Sequence, residues 1–144
     1  MLIFEFTKVC MYKLMIIEDE PLIALDLTKI LEKKGFEVTG HAGNFEEALA
    51  LFDTNRPDII LSDIKLENNE SGIKVIEALQ KLDDFCVVYL TSYGDDKMIE
   101  TALHTNPAAY MTKPFRESDL NATLKLVVAS IKTKNCKLQY CYNK

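Results

Sequence analysis

Residues 13–35 read KLMIIEDEPLIALDLTKILEKKG. Lys13–Ile17 is a short apolar run without helical period, closed by Glu18, Asp19 and Glu20, and it reads as a strand. Pro21 then opens a helical pattern, since proline is tolerated in a first turn. Ile23, Leu27, Ile30 and Leu31 fall on one face of that helix. Lys33, Lys34 and Gly35 supply its C-terminal stop. A strand feeding a helix across an acidic junction is the unit from which the rest can be read.

The same alternation continues downstream. Residues 36–42 read as strand 2, and Phe45, Ala48, Leu49 and Phe52 form the stripe of a helix with Asn44 as its N-cap. Residues 58–62, preceded by Pro57, read as strand 3. A polar loop over 65–72 leads to a third helix carrying Val75, Ala78, Leu79 and Leu82. Residues 85–90 read as strand 4, and Asp95 or Asp96 caps a short fourth helix with Met98, Ile99, Ala102 and Leu103. Residues 108–111 read as strand 5. Leu120, Leu124, Val127 and Ile131 mark a fifth helix. Strands alternating with helices predict an α/β fold: a doubly wound, five-stranded parallel sheet with helices on both faces. Five strands favour the order 2-1-3-4-5, in which ligands bind beyond the carboxyl ends of the strands, near the switch between strands 1 and 3.

Composition bounds the function. The 144 residues make one domain's worth of chain, and at 48% hydrophobic they can bury a core without metal or disulfide staples. A net charge of −5 argues against sequence-independent nucleic-acid binding, which needs a basic surface. The longest apolar run, 85–90, is far short of the ~20 residues of a membrane span. The N-terminus has no continuous apolar h-region, because Glu5, Lys8 and Lys13 interrupt it. Cys10, Cys86, Cys136 and Cys141 form no C-x-x-C pair and read as cytosolic thiols. The expected location is the cytoplasm.

The polar residues converge on one edge of the predicted sheet. Strand 1 ends in Glu18, Asp19 and Glu20, strand 3 in Ser62 and Asp63, strand 4 in Thr91 and Ser92, strand 5 in Thr112 and Lys113. Carboxylates held close together repel and raise one another's pKa, which a divalent cation relieves. A lysine and a hydroxyl can each pair with a phosphoryl oxygen, and a carboxylate between metal and lysine can act as the nucleophile of phosphoryl transfer. Taken singly, each residue has a plainer structural role: first-turn acids, an Asx turn, a turn cap, a solvated lysine. Those plain roles would have to hold together at four strand ends on one side of the sheet.

The segments IIEDE, LSDIKL, LTS and AYMTKPF resemble the receiver domain of two-component response regulators, and are similar to the chemotaxis-type single-domain receivers, a flavodoxin-like fold. The spacings from Asp19 to Asp63, Asp63 to Thr91 and Thr91 to Lys113 are 44, 28 and 22 residues. The resemblance implies a receiver domain over 13–132, an N-terminal extension over 1–12 and a C-terminal tail or linker stub over 133–144. It implies that Asp63 is the phosphoacceptor of a His-Asp phosphorelay. Glu18, Asp19, Asp63 and the main-chain carbonyl of Lys65 would hold Mg²⁺, with Mn²⁺ as a substitute. Thr91 and Lys113 would bind the phosphoryl group. Thr91 and Tyr110 would be the switch, remodelling the helix 4/strand 5/helix 5 surface. Lys65 and Tyr93 would tune phosphate lifetime.

The implied partners are a histidine kinase or phosphotransfer protein and a second copy joined through helix 4, strand 5 and helix 5. Neither nucleic acid nor membrane is expected to bind this segment directly. An exposed Leu22 on helix 1, beside Asp26, Lys29 and Lys33, is a candidate docking position. Only weak self-phosphorylation and autodephosphorylation are expected as activity. The sequence departs from the common family pattern in its Glu-Asp rather than Asp-Asp pair, its long loop without proline after Asp63, and Pro107-Ala108 where Gly-Ala is frequent.

Three other readings compete. A receiver-like interaction module acting without phosphorylation would have lost the acceptor, lysine or acids, and all are present. An aspartate phosphatase would want an acid two residues after the nucleophile, where Lys65 stands. A flavodoxin-like cofactor binder would want a phosphate loop where EDEPLI is acidic.

Overall fold

Continuous apolar runs suit strands covered on both faces, and that is how they are used. The computed structural model describes residues 11–67, 70–92 and 95–142, with side chains described through residue 133. The expectations placed on Tyr93, Cys10, Cys136 and Cys141 lie outside that description, as does nearly all of 1–12. The elements in chain order are β1 (Lys13–Ile17), α1 (Pro21–Lys33), β2 (Glu37–Ala42), α2 (Phe45–Thr54), β3 (Ile59–Asp63), α3 (Gly72–Gln80), β4 (Cys86–Thr91), α4 (Asp96–Ala102), β5 (Ala109–Thr112) and α5 (Glu117–Tyr142). A 3₁₀ turn, Leu103–Thr105, extends α4. The five strands form one parallel sheet in the order β2-β1-β3-β4-β5, the flavodoxin-like arrangement.

Alternation along the strands sorts the core. Met15 and Ile17 of β1, Ile60 of β3, and Val87 and Tyr89 of β4 pack in one cluster with Phe52 of α2 and with Ile73, Ile76 and Leu79 of α3. Leu14, Ile16, Ile59, Leu61 and Val88 occupy the opposite pleat and are equally buried. Arg56 stacks on the Phe52 ring at 4.4 Å, closing the end of α2. The chain divides after Lys113 into two compact units, the first holding the sheet and α1–α4, the second α5. Within the second, the Asp119 carboxylate accepts the Arg116 N–H while the Asp119 N–H returns to the Arg116 carbonyl, a reciprocal cap. The backbone of α5 is helical to Tyr142, through most of the expected tail.

Two differences from expectation have physical causes. Strands β3, β4 and β5 each end one residue later than their apolar runs, at Asp63, Thr91 and Thr112. Ladder hydrogen bonds use main-chain groups and are indifferent to side-chain polarity. Some helix stripes are rotated: α1 buries Ala24, Leu27 and Leu31 and exposes Ile23, and Phe45, Leu82 and Leu103 are exposed as well. The short junction 18–20 fixes where α1 begins and so fixes its phase. The Asn44 side chain does cap α2, accepting the Glu47 N–H at 2.9 Å.

Candidate functional site

The site is assembled by main-chain ladders that run slightly past the strands. The Glu18 N–H donates to the Ala42 carbonyl at 2.9 Å, which extends β1 by one residue and turns the Glu18 side chain inward. Asp63 closes β3 opposite Leu90. The Lys113 N–H donates to the Thr91 carbonyl at 2.7 Å, carrying the lysine one step beyond β5. From there Lys113 Nζ lies 2.7 Å from Asp63 Oδ1 and 3.5 Å from Glu18 Oε2. One ammonium group thus serves two carboxylates delivered by the strands flanking the switch point.

One carboxylate oxygen from each of Glu18, Asp19 and Asp63 lies within 4.8 Å of the others. Burial is the main reason that Glu18 is pushed up from its ordinary 4.5 to about 8, followed by its hydrogen bond to Asp63 and the repulsion between the two. The Glu20 N–H, which donates to Glu18 Oε1 at 3.0 Å, and Lys113 oppose that rise. Burial alone would lower Lys113, but the hydrogen bond and charge of Asp63, with those of Glu18, hold it above its usual range. The balance favours the protonated form of the Glu18 carboxyl in the metal-free site.

A cavity of about 280 Å³ opens over these groups, and Lys65, Glu67, Ser92 and Asp95 also line it. Asp19 Oδ2 accepts the Glu67 N–H, which ties the loop after β3 down to the acidic junction. Lys65 forms a two-residue bridge with Ser71, made by the Gly72 N–H to the Ile64 carbonyl and the Leu66 N–H to the Glu70 carbonyl. Those bonds use the neighbouring peptides and leave Lys65's own carbonyl out of the bridge. Gly72 sits so close to β3 that a Cβ there would lie 1.8 Å from the Asp63 carbonyl oxygen. Only glycine lets α3 begin at that distance.

Of the residues singled out in the sequence, Glu18, Asp19, Asp63, Lys65 and Lys113 meet at this cavity. Thr91 is buried, its hydroxyl donating to the Met111 carbonyl at 3.3 Å. Tyr110 is 54% exposed and turned away from the core. Asp95 was legible in sequence only as a helix cap. It does stand at the N-cap of α4, but its side chain makes no cap hydrogen bond there: the carboxylate is buried, 3% exposed, accepts the Ser92 N–H at 2.7 Å and lies 3.0 Å from Lys65 Nζ. No periodicity separates a capping aspartate from one folded back into a pocket. Its one signal was the position, four residues past Thr91 beside the same sheet edge. Among the described residues, no helix is long and apolar enough to cross a membrane.

The family model described as the response regulator receiver domain matches residues 14–125. The transcriptional regulatory protein PdtaR of Mycobacterium tuberculosis is 32% identical over 117 residues, covering 81% of this chain and 57% of PdtaR. The phyllosphere-induced regulator PhyR of Methylorubrum extorquens is 34% identical over 113 residues, covering 78% of this chain and 42% of PhyR. The crystal structure of the response regulator PhyR from Brucella abortus matches with a TM-score of 0.80 at 30% identity, over 90% of this chain and 53% of that one. The chain spans about half the length of these relatives.

Proposed function

Since the chain belongs to the response regulator receiver domain family, we propose that it is a phosphorylatable switch whose acceptor is Asp63. The observation that carries this reading is the pairing of Lys113 with both Asp63 and Glu18, beside three carboxylates gathered within 4.8 Å. In the reaction an Asp63 oxygen attacks phosphorus. The O–P bond forms as the bond from phosphorus to the donor's nitrogen or acyl oxygen breaks, and the donor keeps that electron pair. A carboxylate nucleophile needs no base. Lys113 orients Asp63 and then pairs with the transferred phosphoryl oxygens, so its contribution is positioning and charge. The donor is a histidine kinase or phosphotransfer protein, or a small acyl phosphate in vitro.

The donor set fits a hard divalent cation: three carboxylate oxygens close together, one of them on a glutamate whose pKa burial and the neighbouring Asp63 raise. Glu18, Asp19, Asp63 and the Lys65 carbonyl would hold Mg²⁺ or Mn²⁺. When bound, the cation supplies positive charge to the carboxylates and to the incoming phosphoryl oxygens. Lys65 and Tyr93 are the positions assigned to tuning the lifetime of the acyl phosphate.

Phosphorylation adds about −1.5 to −2 charges beside Lys113 and Thr91. Turning the Thr91 hydroxyl from the Met111 carbonyl towards the new oxygens frees space behind it, and Tyr110 is the exposed side chain that moves in. The population shifts between two packings of the α4–β5 face, which a second copy or an output partner reads. A cytoplasmic location suits such donors. Intact-mass spectrometry after acetyl phosphate and Mg²⁺ tests the reading. One phosphoryl adduct on the wild type and none on Asp63→Asn is expected, and an unmodified wild type under donor excess refutes it.

A further inference from the structure

Two lysines line the cavity, and only one of them pairs with the acceptor carboxylate. Lys113 serves Asp63 and Glu18, whereas Lys65 lies 3.0 Å from Asp95 and takes no part in the acidic group. The pair is lopsided. The Lys65 side chain is 63% exposed and free to change rotamer, but the Asp95 carboxylate is buried. A buried carboxylate stays in place only while its counter-charge and hydrogen bonds remain.

Asp95 also begins α4. Its side chain accepts the Ser92 N–H at 2.7 Å, its own N–H donates to the Ser92 carbonyl at 3.3 Å, and its carbonyl accepts the Met98 and Ile99 N–H groups at 2.9 and 3.0 Å. The other end of α4 is held differently, by neutral buried bonds. The Tyr89 hydroxyl and Thr105 Oγ1 are 2.8 Å apart, Thr105 Oγ1 donates to the Ala102 carbonyl at 2.6 Å, and the Gln80 amide donates to the Thr105 carbonyl at 2.7 Å. One end of α4 is thus held by charge next to the acceptor cavity, and the other by a clamp with no charge to lose.

Resting on the reading of Asp63 as phosphoacceptor, we propose that Lys65 and Asp95 are a positioning pair, a latch that holds the first turn of α4 until a phosphoryl group on Asp63 draws Lys65 away. Lys65 stands two residues after Asp63, so a new dianion on Asp63 competes directly for its ammonium group. Asp95 then loses its counter-charge, leaves its buried position and releases the Ser92, Met98 and Ile99 bonds. The Tyr89–Thr105 clamp stays shut, so α4 pivots about its C-terminal end rather than melting.

Amide hydrogen exchange on the full chain tests this, with beryllofluoride and Mg²⁺ as the phosphoryl probe and ¹⁹F NMR reading its occupancy of Asp63. In the probe-free protein, Lys65→Met is expected to speed exchange at Met98 and Ile99 by about tenfold or more while Asn106 stays protected, and Lys65→Arg to restore wild-type rates. Wild-type rates at Met98 and Ile99 in Lys65→Met overturn the latch. Asp95→Asn keeps an acceptor for the Ser92 N–H but removes the charge, so its Met98 and Ile99 rates should no longer respond to the probe. A full wild-type response in that variant also overturns it, even if Lys65→Met proves too unstable to measure. A bound ¹⁹F signal on the wild type with unchanged exchange in α4 refutes the latch alone. No bound signal refutes the phosphoacceptor reading, and the trigger with it.

Discussion

Glu18 offers the sharpest perturbation, because its proton and a divalent cation compete for one carboxylate. With its carboxyl at about 8, roughly one molecule in eleven has Glu18 ionised at pH 7, and about nine in ten at pH 9. Metal binding must expel that proton, so Mg²⁺ affinity is expected to rise about tenfold between pH 7 and pH 9, worth about 1.4 kcal/mol. A glutamate at its ordinary 4.5 would show no change over that span. The folding side of the linkage has the opposite sense. The unfolded chain releases this proton near 4.5 and the folded metal-free protein holds it to about 8, so the unfolded state binds fewer protons between those values. Stability of the metal-free protein therefore falls as pH rises through that window, and saturating Mg²⁺ counters the loss. Calorimetric titration with Mg²⁺ in buffers of different ionisation enthalpy reads both the affinity and the proton count. Close to one proton released per ion at pH 7, and a flat profile in Glu18→Gln, are expected. An affinity that changes less than about twofold from pH 7 to 9 in the wild type would refute the claim that burial and Asp63 hold the proton on Glu18.

Three further perturbations probe separate parts of the structure. Gly72→Ala forces a Cβ to within 1.8 Å of the Asp63 carbonyl and 2.9 Å of Ser62 Oγ. Urea denaturation should show a loss of about 1–3 kcal/mol, and a change within about 0.5 kcal/mol would contradict the close approach. Lys113→Met leaves Asp63 without its 2.7 Å partner. Phosphorylation by acetyl phosphate at saturating Mg²⁺ should slow by on the order of 10²-fold, and an unchanged rate would remove Lys113 from the mechanism. Tyr89→Phe deletes a buried hydroxyl that donates to Thr105, whose own proton goes to Ala102. The expected cost is about 1 kcal/mol, read as a lower urea midpoint at unchanged slope, and a wild-type midpoint would show that the bond adds nothing.

The architecture was legible because β1, β3 and β4 carry apolar runs bracketed by turn residues and the helices between them have 3.6-residue stripes. What the runs could not show was where pairing stops, since Asp63, Thr91 and Thr112 join the ladder through main-chain atoms alone. Helix phase was misread where a small residue faces inward and a large one outward, as with Ala24 and Ile23. Residue size is a poor guide to phase when a three-residue junction decides it.

The acids and the lysine could be grouped from sequence alone, since a parallel sheet in this strand order sends the carboxyl ends of β1, β3 and β5 to one edge whatever the loops do. Which partner each group takes is another matter. Lys113 bridging Asp63 and Glu18, Lys65 reaching Asp95 instead of the acids, and Asp95 folding under the start of α4 all depend on rotamers and loop paths. Linear spacing therefore determined which side chains gather at this edge. Only the tertiary structure decided which charges are paired and which are poised to exchange partners, because pairing depends on distances of a few ångströms between groups far apart in the chain.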